Sequence, residues 1–116
     1  MSRSRIALLA VLAALLVAAP VAARPTAASS TTVTVTMKEF KFILSRNTVA
    51  HGKITFKLVN KGKLAHDFEI ALHKSKKIAA GKTGSLVVAL AKGRHPYKCT
   101  IDGHAKAGMK GVLRVT

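Results

Sequence analysis

From Val33 onward the apolar residues recur at every second position: Val33, Val35 and Met37; Phe40, Phe42 and Leu44; Ile54, Phe56 and Leu58; then Phe68, Ile70 and Leu72. A period of two is that of strands with one buried face. Turn signals interrupt the alternation at His51-Gly52, Asn60-Lys61-Gly62, Gly81 to Gly84 and Lys92-Gly93. Leu86 to Leu90, Arg94 to Cys99 and Gly111 to Val115 predict three further strands, and Lys74 to Gly84 predicts a loop or short helical turn. Seven to eight short strands in residues 33–116 predict an all-β domain, a Greek-key β-sandwich or barrel.

The chain begins on a different pattern. Arg3 and Arg5 precede an unbroken apolar run from Ile6 to Ala19, followed by Pro20 and the small residues Val21-Ala22-Ala23. This is the order of a secretory signal peptide, and the 14-residue run is shorter than the roughly 20 residues that span a bilayer. Residues 1–23 are therefore expected to be a signal peptide cleaved after Ala23, with sites nearer Ala28 as the alternative; an uncleaved segment would instead tether the protein to a membrane. Residues 24–32, rich in Ala, Ser and Thr with Pro25, predict a flexible leader before a domain at 33–116. The expected location is periplasmic or secreted.

Charge looks at first like the signature of a polyanion binder: 20 Lys+Arg against 4 Asp+Glu give +16 on 116 residues, and +14 remains without the first 23. Export argues against intracellular nucleic acid. With 4% aromatic residues and no Trp, a platform for stacking bases is also poorly supplied. A basic secreted protein binding a polyanion stays open as an alternative of another class. The single cysteine excludes an intrachain disulfide.

That cysteine carries the chemistry. Cys99, His104 and Met109 lie in one run, Cys-Thr-Ile-Asp-Gly-His-Ala-Lys-Ala-Gly-Met, between two predicted strands. Thiolate, imidazole and thioether are the soft and borderline ligands that copper prefers. His66 shares the parity of Phe68, Ile70 and Leu72, so it should point inward as a second imidazole while Asp67 and Glu69 face out. Zinc also takes two His and one Cys, and the thioether argues for copper. His51, before a glycine, and His73, beside lysines, predict surface positions. His95 has inward parity but sits about 13 Å along the strand from Cys99, too far to share an ion, and is expected to replace a core or edge aromatic.

These residues resemble the cupredoxins, the small blue-copper proteins. The resemblance runs from Lys38-Glu39-Phe40-Lys41-Phe42 through Asn60-Lys61-Gly62 and His66-Asp67-Phe68 to the cysteine loop. It implies that His66 and His104 are the imidazole ligands, Cys99 the thiolate and Met109 the axial thioether of one type 1 copper ion cycling between Cu(I) and Cu(II). The four residues between Cys99 and His104, and the four between His104 and Met109, are most like the auracyanin and rusticyanin loop. Tyr97, Gly108 and Gly111-Val112-Leu113 also fit the family pattern. Ala65 and Asp102 stand where the family often has proline, and Asp102, if incompletely solvated, would lower the reduction potential.

The function implied is that of an exported one-electron carrier without catalytic activity of its own, monomeric, passing electrons through the exposed ring edge of His104. Leu64, Ala65, Ala105 and Ala107 would form an apolar patch around that edge. Lys61, Lys63, Lys106 and Lys110 would ring it and steer an acidic redox partner protein. A copper-sequestering or copper-delivery protein is the alternative within the same fold, and a copper enzyme would require a second centre.

Overall fold

The computed structural model describes residues 30–116. The expected signal peptide and residues 24–29 of the expected leader lie outside the described residues. Nine strands follow in chain order: β1 (Ser30–Lys38), β2 (Lys41–Leu44), β3 (Thr48–Val49), β4 (Gly52–Asn60), β5 (Glu69–Ile70), β6 (His73–Lys74), β7 (Thr83–Leu90), β8 (Gly93–Lys98) and β9 (Lys110–Val115). Among the described residues there is no helix, and Lys74 to Gly84 is loop apart from its strand ends and one bridge. The two-residue strands β3 and β6 are too short for an alternation to register, which is why the pattern predicts fewer than nine.

The strands form two sheets, ordered β2-β1-β4-β7 and β3-β9-β8-β5-β6. Most neighbours are not consecutive in the chain, so connections cross between sheets as in a Greek-key sandwich. β1 and β4 pair in parallel, with Val33 opposite Phe56 and Val35 opposite Leu58. Their alternate side chains, Val33, Val35, Met37, Ile54, Phe56 and Leu58, are all fully buried. Each such side chain contributes on the order of 1.5–3 kcal/mol by leaving water. Phe42, Phe56, Phe68 and Tyr97 meet between the sheets, with ring centroids 5.0–5.7 Å apart. Tyr97 lies over its cross-strand partner Gly111, where a Cβ would collide with the phenol ring.

Four expectations from the alternation need correction. Ser30, Thr31 and Thr32 are not leader: they pair with Lys53, Ile54 and Thr55, and threonine suits a pleated surface. Leu72 is 95% exposed, because β5 stops at Ile70 and Ala71-Leu72 form a two-residue hairpin with φ of 49° and 63°. Positive φ at both central residues is the type I′ signature, and without Gly or Asn there the sequence does not announce it. Phe40 belongs to the turn between β1 and β2 and is partly exposed. Asp67 does not face out but is buried, for a reason that belongs to the metal centre.

Candidate metal centre

Two stretches of chain converge at one end of the sandwich. The first is the segment from Asn60 at the end of β4 to Asp67. Asn60 is buried, and its side chain organises the turn that follows: Oδ1 accepts from Gly62 N at 2.9 Å, while Nδ2 donates to Leu64 O at 2.8 Å and to Ile78 O at 2.9 Å. His66 then forms an isolated antiparallel bridge with Ile78, exchanging two backbone bonds of 3.1 and 2.8 Å. This bridge fixes the backbone of His66 and turns its side chain wholly inside.

The second stretch is the loop between β8 and β9. Cys99 N donates to Met109 O and Met109 N to His104 O, both at 3.1 Å, so the loop closes on itself and brings the three residues together. Gly103 at φ 80° and Gly108 at φ 119° supply the left-handed backbone that this compact path requires. Cys99 and Met109 are buried, and His104 is 9% exposed.

Asp67 joins the stretches. Its Oδ1 accepts from Thr100 N at 2.6 Å and its Oδ2 from Thr100 Oγ1, so the residue after His66 is bonded to the residue after Cys99. Two donors on one carboxylate offset the cost of burying it, which is the physical reason that Asp67 overrides its outward strand parity.

The result is a cluster of His66, Cys99 and His104 whose ligand atoms all lie within 4.8 Å of one another. His66 Nδ1 is 3.1 Å from His104 Nδ1, which is 3.6 Å from Cys99 Sγ. Atoms bound about 2.0–2.3 Å from one first-row metal ion stand this far apart. Burial pushes the Cys99 thiol up and the His66 imidazole down, so both are neutral before a metal arrives. Three lone-pair donors facing one another in a buried space are poorly matched as hydrogen-bond partners and well matched as ligands. Two imidazoles and one thiolate fit copper, and equally admit zinc.

The structure therefore brings together His66, Cys99 and His104, with Met109 buried and tied by its backbone to the other loop ligands. Tyr97 is buried two residues before Cys99. Lys61, Lys63 and Lys106 are exposed on the two converging stretches, and Lys110 is exposed at the start of β9. Asp102 is exposed, so water screens its charge from the cluster. Of the expected apolar patch, Leu64 and Ala107 are exposed and Ala65 and Ala105 half-buried, and the ring of Phe40, outside that expectation, meets His104 edge-on at 5.0 Å. His51 and His73 are on the surface, and half-buried His95 bonds Ala91 O at 2.7 Å, away from the cluster.

Sequence reasoning missed Glu39. Its Oε1 accepts from Lys63 N at 2.6 Å and Leu64 N at 2.7 Å and lies 3.3 Å from His66 Nε2. No spacing rule connects a residue 27 positions upstream to a ligand.

Comparison with known proteins agrees with this architecture. The model of the cupredoxin-like domain family matches residues 5–115. No curated protein matches the sequence. Similar solved structures include auracyanin A, a "blue" copper protein from Chloroflexus aurantiacus, at 20% identity and TM-score 0.64, covering 76% of this chain and 100% of that one. Auracyanin from Roseiflexus castenholzii is similar at 20% identity and TM-score 0.59, covering 77% and 98%. The blue copper oxidase from Nitrosomonas europaea shares the fold at 14% identity and TM-score 0.61, covering 75% of this chain but 39% of the oxidase. At these identities the likeness is one of fold, and that fold serves both small copper proteins and parts of larger enzymes.

Proposed function

The chain belongs to the cupredoxin-like domain family, and from that premise we propose that it is an exported type 1 copper protein that carries one electron at a time. The observation that carries this reading is the buried convergence of His66 Nδ1, His104 Nδ1 and Cys99 Sγ. Met109, buried on the same loop, would complete the ligand set as a thioether donor. Copper bound there supplies a couple that gains and loses one electron at nearly constant ligand positions.

The chain's own residues make that constancy possible. His66 is clamped by its bridge to Ile78, and Cys99, His104 and Met109 are tied through one another's backbones. Asp67 and Thr100 lock the two stretches together. Ligands held by independent bonds of the fold have little room to relax when the charge at the centre changes, and small relaxation means fast transfer. Burial of Cys99 keeps water and oxidants from the thiol, which gives up its proton when a metal binds.

His104 is the ligand nearest the surface, beneath Phe40, and is the proposed electron exit. Exposed Lys61, Lys63 and Lys106, on the two stretches that form this end, and Lys110 at the start of β9 suit an acidic redox partner. In this reading the first 23 residues direct export and the mature protein acts alone as a monomer, with no catalysis of its own.

Voltammetry of the copper-loaded protein tests the proposal. A carrier gives a reversible one-electron wave with copper retained through many cycles, and its reduction by an acidic donor protein slows as salt rises. Copper that leaves on reduction would mark a delivery protein instead, and salt-independent reduction would remove the role given to the lysines.

A further inference from the structure

Glu39 stands on the turn between β1 and β2, where an acidic side chain would ordinarily project into water. Here it is held. The backbone N–H groups of Lys63 and Leu64 both point at its Oε1, at 2.6 and 2.7 Å. Gly62 lets them do so: a Cβ at that position would lie 2.5 Å from Oε1, and the carboxylate would have to move away from the Lys61–Leu64 turn. The buried Asn60 side chain braces the same turn from beneath through Gly62 N and Leu64 O. Glycine, buried asparagine and two aimed N–H groups form a built cradle for one carboxylate.

The cradle has a chemical consequence for His66. Glu39 Oε1 already accepts from the Leu64 and Lys63 N–H groups, so it meets His66 as a hydrogen-bond acceptor. It lies 3.3 Å from His66 Nε2. A neutral imidazole facing an acceptor at Nε2 carries its proton on that nitrogen and leaves Nδ1 bare. Nδ1 is the atom turned toward His104 Nδ1, in the cluster with Cys99.

We propose that Glu39 is a positioning residue for the metal centre: it fixes the Nε2–H tautomer and the ring orientation of His66, and its fixed negative charge behind that ligand favours the oxidised over the reduced metal. The proposal rests on the copper reading above for its second half only. A carboxylate on the far nitrogen of a ligating histidine raises the basicity of the ligating one, and losing such a partner typically costs about 10–100-fold in metal affinity.

Two variants separate positioning from simple closure of the turn. Glu39→Gln keeps an oxygen that accepts from Lys63 N, Leu64 N and His66 Nε2 but removes the charge. Glu39→Ala removes both. Ring nitrogen NMR of the metal-free protein should show His66 as a single Nε2–H tautomer in the wild type and in Glu39→Gln, and a mixture in Glu39→Ala. In the copper-loaded Glu39→Gln protein, affinity for Cu(II) should fall at least tenfold more than affinity for Cu(I). That difference reads as a rise in potential of about 59 mV per tenfold. A proton on Nδ1 of His66 in the wild type, or an unchanged potential in Glu39→Gln, would overturn the proposal. A wild-type protein that takes up no copper would overturn the functional reading instead, and the tautomer, read without metal, would still decide the positioning role.

Discussion

The ligand loop, from Cys99 to Met109, and the segment from Asn60 to Asp67 face each other across the metal centre and are held by different means. In the loop nearly every bond is backbone to backbone and short in sequence: His104 N to Ile101 O, Ala107 N to Gly103 O and His104 O, Gly108 N to Ala105 O, Met109 N to His104 O. The opposite wall depends on side chains reaching far along the chain. Asn60 bonds Ile78, Glu39 bonds Lys63 and Leu64, and Asp67 bonds Thr100. A loop held by its own backbone tolerates changes at side chains other than the ligands and Thr100, whose hydroxyl belongs to the tie with Asp67. A wall held by buried polar side chains does not, because each lost partner leaves a donor or acceptor without water.

The largest effect is accordingly expected at Asn60. Asn60→Ala removes three hydrogen bonds and leaves the buried Ile78 carbonyl with only its remaining surroundings, so unfolding free energy in denaturant should fall by about 2–4 kcal/mol. A loss below 1 kcal/mol would break the contrast at its strongest point. Next comes Thr100→Val, which deletes the hydroxyl that donates to the buried Asp67 carboxylate while leaving the Thr100 N–H in place. Chemical denaturation should register about 1–2 kcal/mol, and the copper absorption spectrum should shift because the tie between the His66 and Cys99 stretches is weakened. The smallest effect is expected on the loop itself. Asp102→Asn alters an exposed side chain and should change stability by no more than about 0.5 kcal/mol. Its potential should rise less than that of Glu39→Gln; a larger rise would mean that charge on the loop outweighs charge behind His66.

The same division governs what could be read from the sequence. Cys99, His104 and Met109 are legible because a self-closing loop brings its ligands together in sequence as well as in space. His66 is legible through the parity it shares with Phe68 and Ile70. The long strands β1 and β4 announce themselves by alternation, since one face of each is buried along most of its length, and β7 shows as the apolar run Leu86 to Leu90. What escapes is whatever depends on contacts between distant segments. Asp67 breaks strand parity because Thr100, 33 positions away, supplies its donors. Phe40 leaves the expected core because it covers His104. Leu72 goes to solvent because the hairpin turn begins one residue after Ile70, with no Gly or Asn to mark it. Glu39 is invisible as a neighbour of the site until the turn at Gly62 folds over it.

The central claim is that Cys99, with His66 and His104, holds one copper ion as a thiolate centre. Visible absorption during titration of the protein with copper(II), repeated on Cys99→Ser, tests it most directly. An intense thiolate-to-copper band that saturates at one equivalent and is missing from Cys99→Ser is the predicted result. A wild-type protein that develops no such band, or a variant that keeps it, would contradict the account.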